Sequence, residues 1–490
     1  MRKDSNLSLK SLIGDVNIDR KDAIEYIANS NNLEIKESME FDSSFKGKLN
    51  DDFLNHIKNN NVKDILVLDD KNKDAFIERW LVKSVDNNGC IKLKSPITGE
   101  VLESRHSVGL NIFYFKENGR VILLSFISRI SYGFTEFQIT IPSLGLIVRC
   151  ILTTKDRAKE AQEREIYIRL GTLLFDFVSN RRVFKRYLKN PIKNYFLVNT
   201  DHQHIGHGLW NGLSGWSRFL DLNLQRFEKL MSSSAYFVNS SLLQPNWKVK
   251  FLERSYKPMS AISGSNFVFY LKSRYISKDI AGLLKNSAVS RVNKIYPSKL
   301  VIMNLRLGNR EQINTKEFYF EVIKSVLSKD DSVHFYIDGM NTDSSREQAH
   351  THQAIELDKE VEMAEFLVNS FPENVKSLVG CSVSENISAI ANSKVAIAPW
   401  GAGLAKLSWI CNLPVIVLSS LTVRDRKDDF NIYQDPACRE MAVGHFLVSK
   451  DYITDYPNKN ATGDVYKLNF EVDLKAVPEC VDVILTHTSK

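Results

Sequence analysis

The chain has 490 residues, of which 43% are hydrophobic, 25% charged and 10% aromatic. These values fall within the soluble folded range and exclude a disordered or collagen-like chain. At roughly 100–200 residues per domain, the length implies two to four domains, and a net charge of +7 is compatible with a phosphorylated ligand or an anionic surface without requiring either.

The six cysteines, Cys90, Cys150, Cys381, Cys411, Cys438 and Cys480, are scattered without CxxC or Cys/His metal spacing. They read as reduced, separately buried thiols and point to a reducing compartment. The opening residues, MRKDSNLSLKSLIGDVNIDRKD, lack the apolar core of a signal peptide, and no stretch approaches the ~20 uninterrupted apolar residues of a membrane span. The expectation is a cytoplasmic protein.

Residues 1–153 read as a β-rich accessory domain. Arg79 to Val85, Leu110 to Phe115, Val121 to Ile127, Glu136 to Ile141 and Leu144 to Leu152 carry β-branched and aromatic residues. Turns such as Asp86-Asn87-Asn88-Gly89 and Glu117-Asn118-Gly119 separate them. Nothing in this region resembles a catalytic constellation, so a scaffold role is expected, with a glycan-facing or partner-facing role as the alternative.

From about Thr154 long helices alternate with short apolar strands. The first set, 154–290, reads as one or two helices over Lys155 to Tyr187, strand over Tyr195 to Asn199, helix over Leu209 to Leu230, then strands at Ala235 to Val238 and Phe267 to Tyr270. Within it, Arg181-Arg182-Val183-Phe184-Lys185-Arg186-Tyr187-Leu188-Lys189 interleaves cations with aromatics. That run suits either a solvated helix face or peripheral contact with an anionic membrane. No nucleic-acid-binding module accompanies it.

The second set, 291–425, has strands at Leu300 to Asn304, Val333 to Ile337, Val375 to Gly380, Val395 to Ala398 and Val415 to Leu418. Helices fit between them at Lys316 to Leu327, Lys359 to Ser370, Ser384 to Ala391 and Gly403 to Cys411. Two such sets imply two facing Rossmann-like α/β domains. Residues 426–490 read as a C-terminal segment that packs back on them through a helix at Leu474 to Leu485.

Five places can carry chemistry. Asn199 to Asp221, NTDHQHIGHGLWNGLSGWSRFLD, follows a strand and holds His202, His204 and His207; a histidine beside a turn at a strand end can abstract a proton. His207, at the start of the next helix, is the preferred base, with His204, Trp210 and Asn211 as acceptor-side candidates. The same imidazoles can instead cap the helix. No HExxH-type pattern accompanies them, and no metal set is assigned.

Arg306 and Arg310 follow the first strand of the second set, where guanidinium groups can grip a diphosphate bidentately. Arg310 can alternatively pair with Glu311 or Glu317. Asp338, at the end of the next strand, is a candidate for a ribose or sugar hydroxyl, although Asp-Gly is also a plain turn pair. Glu385 is a further ribose candidate or a first-turn carboxylate, with Ser384 as the N-cap. Lastly, Gly401-Ala402-Gly403-Leu404, between an apolar strand and a helix, lets the backbone approach an anion or simply makes a tight connection.

Taken together, the segments resemble a GT-B glycosyltransferase, most nearly the family 61 type. The likeness spans about Asn194 to Ser420. It rests on Gly401-Ala402-Gly403-Leu404 followed by Pro414-Val415-Ile416-Val417-Leu418, on Ile205-Gly206-His207-Gly208-Leu209, and on Arg306 with Arg310. Trp400 stands where that family often has a histidine, and Gly208 where it has an aromatic. The resemblance implies a nucleotide-sugar donor, transfer to a glycan or protein hydroxyl in surface polysaccharide or glycoconjugate synthesis, and no cofactor or obligatory metal. A nucleotide-sugar 2-epimerase and a non-catalytic glycan- or partner-binding protein are the alternatives.

Overall fold

The computed structural model describes residues 34–37, 47–59, 61–68, 77–127, 134, 136–151, 159–199, 206, 208–217, 222, 224–232, 249–252, 258–271, 275–308, 310–341, 351–426, 430–436, 438–440, 443–456 and 468–489. The chain divides into two compact units. The first comprises Met1–Thr200, Arg218–Ser233 and Lys248–Arg274; the second comprises Asp201–Ser217, Ser234–Trp247 and Tyr275–Lys490.

In the first unit, β1 (Glu34–Glu37) precedes a small antiparallel pair, β2 (Ile91–Lys94) and β3 (Val101–Ser104). Then come β4 (Ser107–Gly109), β5 (Ile112–Glu117), β6 (Arg120–Ile127), β7 (Glu136–Ile141) and β8 (Leu146–Ile151). They form a sheet of order β1-β8-β7-β6-β5-β4, antiparallel except for the β1–β8 pair. The turn signals account for this arrangement: Asn118 and Gly119 both have positive φ at the β5–β6 hairpin, as tight hairpin turns demand. Inside the sheet, Arg149 Nε donates to Glu136 Oε1 at 2.8 Å and Nη2 to Oε2 at 3.1 Å, a buried, paired charge.

The same unit holds an all-parallel sheet of order β11-β10-β9-β12, made of β9 (Asn194–Asn199), β10 (Phe227–Ser232), β11 (Val249–Leu252) and β12 (Asn266–Tyr270). The two sheets are joined by polar contacts. Asn111 Nδ2 donates to the Tyr270 carbonyl at 2.6 Å, and the Val268 amide donates to Ser107 Oγ at 2.8 Å. Phe113 stacks on Phe267 at 5.5 Å. The basic run 181–189 packs its aromatics inward: Phe184 stacks on Phe177, and Tyr187 Oη donates to the Ser107 and Asn266 carbonyls, while Arg181, Arg182, Lys185 and Arg186 are exposed.

The second unit is built on a parallel sheet of β13 (Leu300–Asn304), β14 (His334–Asp338), β15 (Val375–Ser377), β16 (Val395–Pro399), β17 (Val415–Leu418) and β18 (His445–Leu447). A short antiparallel pair, β19 (Ile453–Tyr456) and β20 (Asn469–Val472), lies beside it in sequence. The main sheet has order β15-β14-β13-β16-β17-β18. Numbered from one, that is 3-2-1-4-5-6, the doubly wound order whose topological switch falls between its first and fourth strands. Helix Thr315–Leu327 buries Phe318, Tyr319, Val322, Ile323 and Val326, one stripe at helical period. Val481 and Ile484 of the last helix, Val477–Thr488, join the same core.

Three local expectations are corrected. Arg79 to Val85 is not a strand: Ile77–Asn88 is a helix. Glu78, Leu81, Val82 and Val85 are buried at i, i+3, i+4 and i+7, and this helical period outweighs the β-branched content. The long helix over Leu209 to Leu230 is cut short, because Phe227–Ser232 pairs parallel with β9 in the register Phe227↔Tyr195; Phe227 is buried and Glu228 exposed, as in a strand. Ser382, not Ser384, caps helix Val383–Ala391, accepting the Glu385 amide while Glu385 accepts the Ser382 amide. The strand expected at Ala235 to Val238 lies outside the described residues.

Among the described residues, no helix is long and apolar enough to cross a membrane. Of the cysteines, Cys381 is half-buried and the others are buried, all as free thiols.

Candidate active site

Because β13 to β18 run parallel, the residues that follow each strand emerge on one edge of the sheet. Arg306 and Arg310 follow β13, Asp338 ends β14, Glu385 follows β15, and Trp400 to Gly403 follow β16. The arginines and the glycine turn therefore occupy the two strand ends that flank the switch point.

There the contact is close. A Cβ added to Gly401 would overlap the Arg306 guanidinium, meeting its Cζ at 2.9 Å, and one on Gly403 would meet the Asn304 Cγ at 2.9 Å. Only glycine leaves this space, so Gly401 admits a guanidinium against its backbone. The Arg310 guanidinium lies 4.9 Å above the Trp400 ring, a cation–π contact, with Arg310 itself at φ 58°. Trp400 is backed by Phe430, stacked at 6.5 Å, and its indole N–H donates to the Phe430 carbonyl at 3.2 Å. Of the amides after the turn, those of Leu404, Ala405 and Lys406 donate to the carbonyls of Gly401, Ala402 and Gly403. The amides of Ala402 and Gly403 are left as candidates for an outside acceptor.

Asp338 is fully buried beneath this turn. Its carboxylate accepts from Lys406 Nζ at 2.9 Å, Asn304 Nδ2 at 2.6 Å and Asn386 Nδ2 at 2.5 Å. Lys406 also donates to Asn341 Oδ1 at 2.9 Å. The Asp338 carboxylate and the Lys406 ammonium thus each have partners of opposite charge or polarity, the condition under which charges persist in an interior, while the buried Asn386 Oδ1 has no hydrogen-bond partner among the described residues. Glu385 is half-exposed, and its carboxylate accepts from Lys294 at 2.9 Å. The Lys294 hydrogen bond holds the Glu385 carboxyl below its ordinary range. Burial, followed by the Glu385 charge, pushes the neighbouring Cys381 thiol up, so it stays protonated.

His204 and His207 lie outside the described residues, and Asn211 is described only in its backbone. Their flanking segment is described, and it belongs to the same compact unit as the glycine turn. A Cβ on Gly206 would stand 3.8 Å from the Ala402 Cα and 3.9 Å from the Ala405 Cβ. Gly208–Leu213 is a π-helix, as is Ala405–Ile410. Trp210 of the first packs against Trp409 of the second at 5.7 Å. π-Turns are rare and concentrate at functional sites; here the two widened helices meet through Trp210 and Trp409, and Gly206, just before the first, faces Ala402 of the glycine turn. Among the described residues, no group of three His, Cys, Asp or Glu side chains forms a metal-ligand set.

Sequence reasoning missed Lys406, Asn304, Asn386 and Tyr433. Lys406 did leave a signal, as a lone cation in the apolar run Leu404 to Ile410. It also missed a buried cluster behind the turn: Arg439 donates to the Ser408 and Tyr433 carbonyls and to Asn412 Oδ1, and Ser408 Oγ lies 2.9 Å from His445 Nε2.

No protein-family model matches the chain, and no curated protein does. Solved structures similar to it include E. coli ADP-heptose lipopolysaccharide heptosyltransferase II, at 9% identity and TM-score 0.35, covering 61% of this chain and 100% of that one. A putative UDP-N-acetylglucosamine 2-epimerase from Listeria monocytogenes matches at 11% identity and TM-score 0.27, covering 62% and 70%. S. aureus TarM, solved with UDP, matches at 12% identity and TM-score 0.22, covering 100% and 91%. Identities near one tenth and TM-scores this low attach no activity to this chain.

Proposed function

We propose that the protein is a GT-B glycosyltransferase that moves a sugar from a nucleotide-activated donor to a hydroxyl of a glycan or protein. The observation that carries this reading is Arg306 lying against Gly401 at the switch point of a 3-2-1-4-5-6 sheet, the place where such sheets bind nucleotides. The family 61 likeness of Gly401-Ala402-Gly403-Leu404 and of the Gly206-His207-Gly208 segment supports it further.

In this scheme the donor diphosphate rests on the Gly401 to Leu404 turn with Arg306 and Arg310 as its cations, and Glu385 is the ribose candidate. His207 takes the proton of the acceptor hydroxyl, whose oxygen attacks the anomeric carbon. The bond from that carbon to the phosphate oxygen breaks, and the nucleoside diphosphate leaves with the electron pair. Fixed guanidinium charge stabilises the oxygen on which negative charge develops. His204, Trp210 and Asn211 are assigned to the acceptor side. Asp338, with its carboxylate committed to Lys406, Asn304 and Asn386, supports the turn from below.

The test is incubation with a panel of nucleotide sugars, with and without polysaccharide and peptide acceptors. Transfer product is expected, and Arg306→Ala should lose about 10- to 100-fold in donor affinity or turnover, the worth of a charged hydrogen bond of ~1.5–3 kcal/mol. An isomerised sugar without transfer identifies an epimerase. Tight binding without turnover identifies a binding protein.

A further inference from the structure

Gly401 is held from two sides. On one, the Arg306 guanidinium fills the space where a side chain would stand. On the other, Tyr433 Oη donates to the Gly401 carbonyl at 2.7 Å, an oxygen that also accepts the Leu404 amide at 3.0 Å. Tyr433 arrives from the short turn Asn431–Tyr433 and is 4% exposed. Its ring is fixed by Trp409 at 4.6 Å and by Trp400 edge-on at 6.2 Å. Burial pushes its hydroxyl pKa up against the opposing fields of Arg310 and Arg306; the group is a permanent donor, and both guanidiniums lie within its electrostatic reach.

A peptide group is planar, so fixing the Gly401 carbonyl fixes the orientation of the whole Gly401–Ala402 link. Glycine would otherwise have more freedom there than any other residue. The guanidinium of Arg306 lies against the Gly401 Cα at the start of that link, where a side chain would stand.

We propose that Tyr433 is a positioning residue for Arg306: by pinning Gly401 from behind, it sets where the guanidinium rests and thereby the affinity for a nucleoside diphosphate. Tyr433 does not itself touch the ligand. The inference rests on the donor-site reading above.

The test is calorimetric titration of UDP and ADP, with uridine and adenosine as controls, into the wild type, Tyr433→Phe, Arg306→Ala and the double variant. Loss of one hydrogen bond predicts about two- to tenfold weaker nucleoside diphosphate binding in Tyr433→Phe, with nucleoside binding unchanged. Because Tyr433 acts through Arg306, the same change in the Arg306→Ala background should weaken binding by less than about twofold.

An equal loss in both backgrounds, or no loss in the wild-type background, overturns the inference and leaves the donor site standing. Binding of neither nucleotide by the wild type overturns the donor site and the inference with it. If Tyr433→Phe melts far below the wild type, the titrations are made at a temperature at which all four proteins are folded. A loss confined to the background that keeps Arg306 supports the inference, and an equal loss in both backgrounds overturns it.

Discussion

The guanidinium of Arg306 lies so close to the backbone of Gly401 that one methyl group on that glycine would overlap it. Its neighbour Gly403 is equally confined, but by Asn304, which is 4% exposed and tied to Asp338. The two glycines thus face partners of opposite character, one the far end of a flexible side chain and the other a fixed buried amide.

Gly401→Ala meets the far end of a flexible side chain, so its cost is mainly the strain of a side chain at φ 158°, about 1 kcal/mol, while nucleoside diphosphate binding weakens. Gly403→Ala should cost about 1–3 kcal/mol, the range for overpacking a site that cannot yield. Urea denaturation alongside nucleotide titration measures both. Equal destabilisation by the two substitutions would refute the distinction.

Removing one member of the Lys406–Asp338 pair leaves a buried charge without its counterion. Lys406→Met or Asp338→Ala should each destabilise the second unit by ~3–5 kcal/mol, and the double substitution should cost less than their sum. Denaturant midpoints of the four proteins complete the cycle. Strict additivity would show that the two side chains do not interact.

His445 gives a pH prediction. Burial, then the charge of Arg439, lowers its pKa to about 4 from an ordinary 6.5. Between those values the unfolded chain binds the proton that the folded chain refuses, so stability rises with pH. The contribution is complete above about pH 6.5 and is lost as pH falls through about 4, amounting at most to something on the order of 3 kcal/mol. His445→Gln should lose less stability than the wild type between pH 7.5 and 4.5. Parallel decline of the two would rule out this assignment.

Much of the second unit was legible because its strands are short apolar runs bounded by turns, and a parallel sheet buried on both faces requires such runs. β13, β14, β16 and β17 fall within a residue of their expected positions. The helix Ile77–Asn88 was misread because aromatic and β-branched residues fill it, although its buried positions keep helical spacing. The strand Phe227–Ser232 was missed because its partner, β9, is distant in sequence, and pairing decided its conformation. The capping box Ser382-Val383-Ser384-Glu385 was present in the sequence and was displaced by two residues.

The sequence alone determined the alternation of strands and helices, the glycine turn between β16 and its helix, and the presence of two arginines after β13. These are local: hydrophobic period, turn chemistry and residue type are properties of neighbouring positions. The strand order, which sets β13 beside β16 and so brings Arg306 onto Gly401, depends on hydrogen-bond pairing between segments far apart in the chain. So does the burial of Lys406 on Asp338 and of Tyr433 behind Gly401, where the donors and acceptors find one another only after the sheet has formed. Tertiary packing is what turned a glycine connection into a backbone surface held by a tyrosine on one side and covered by an arginine on the other.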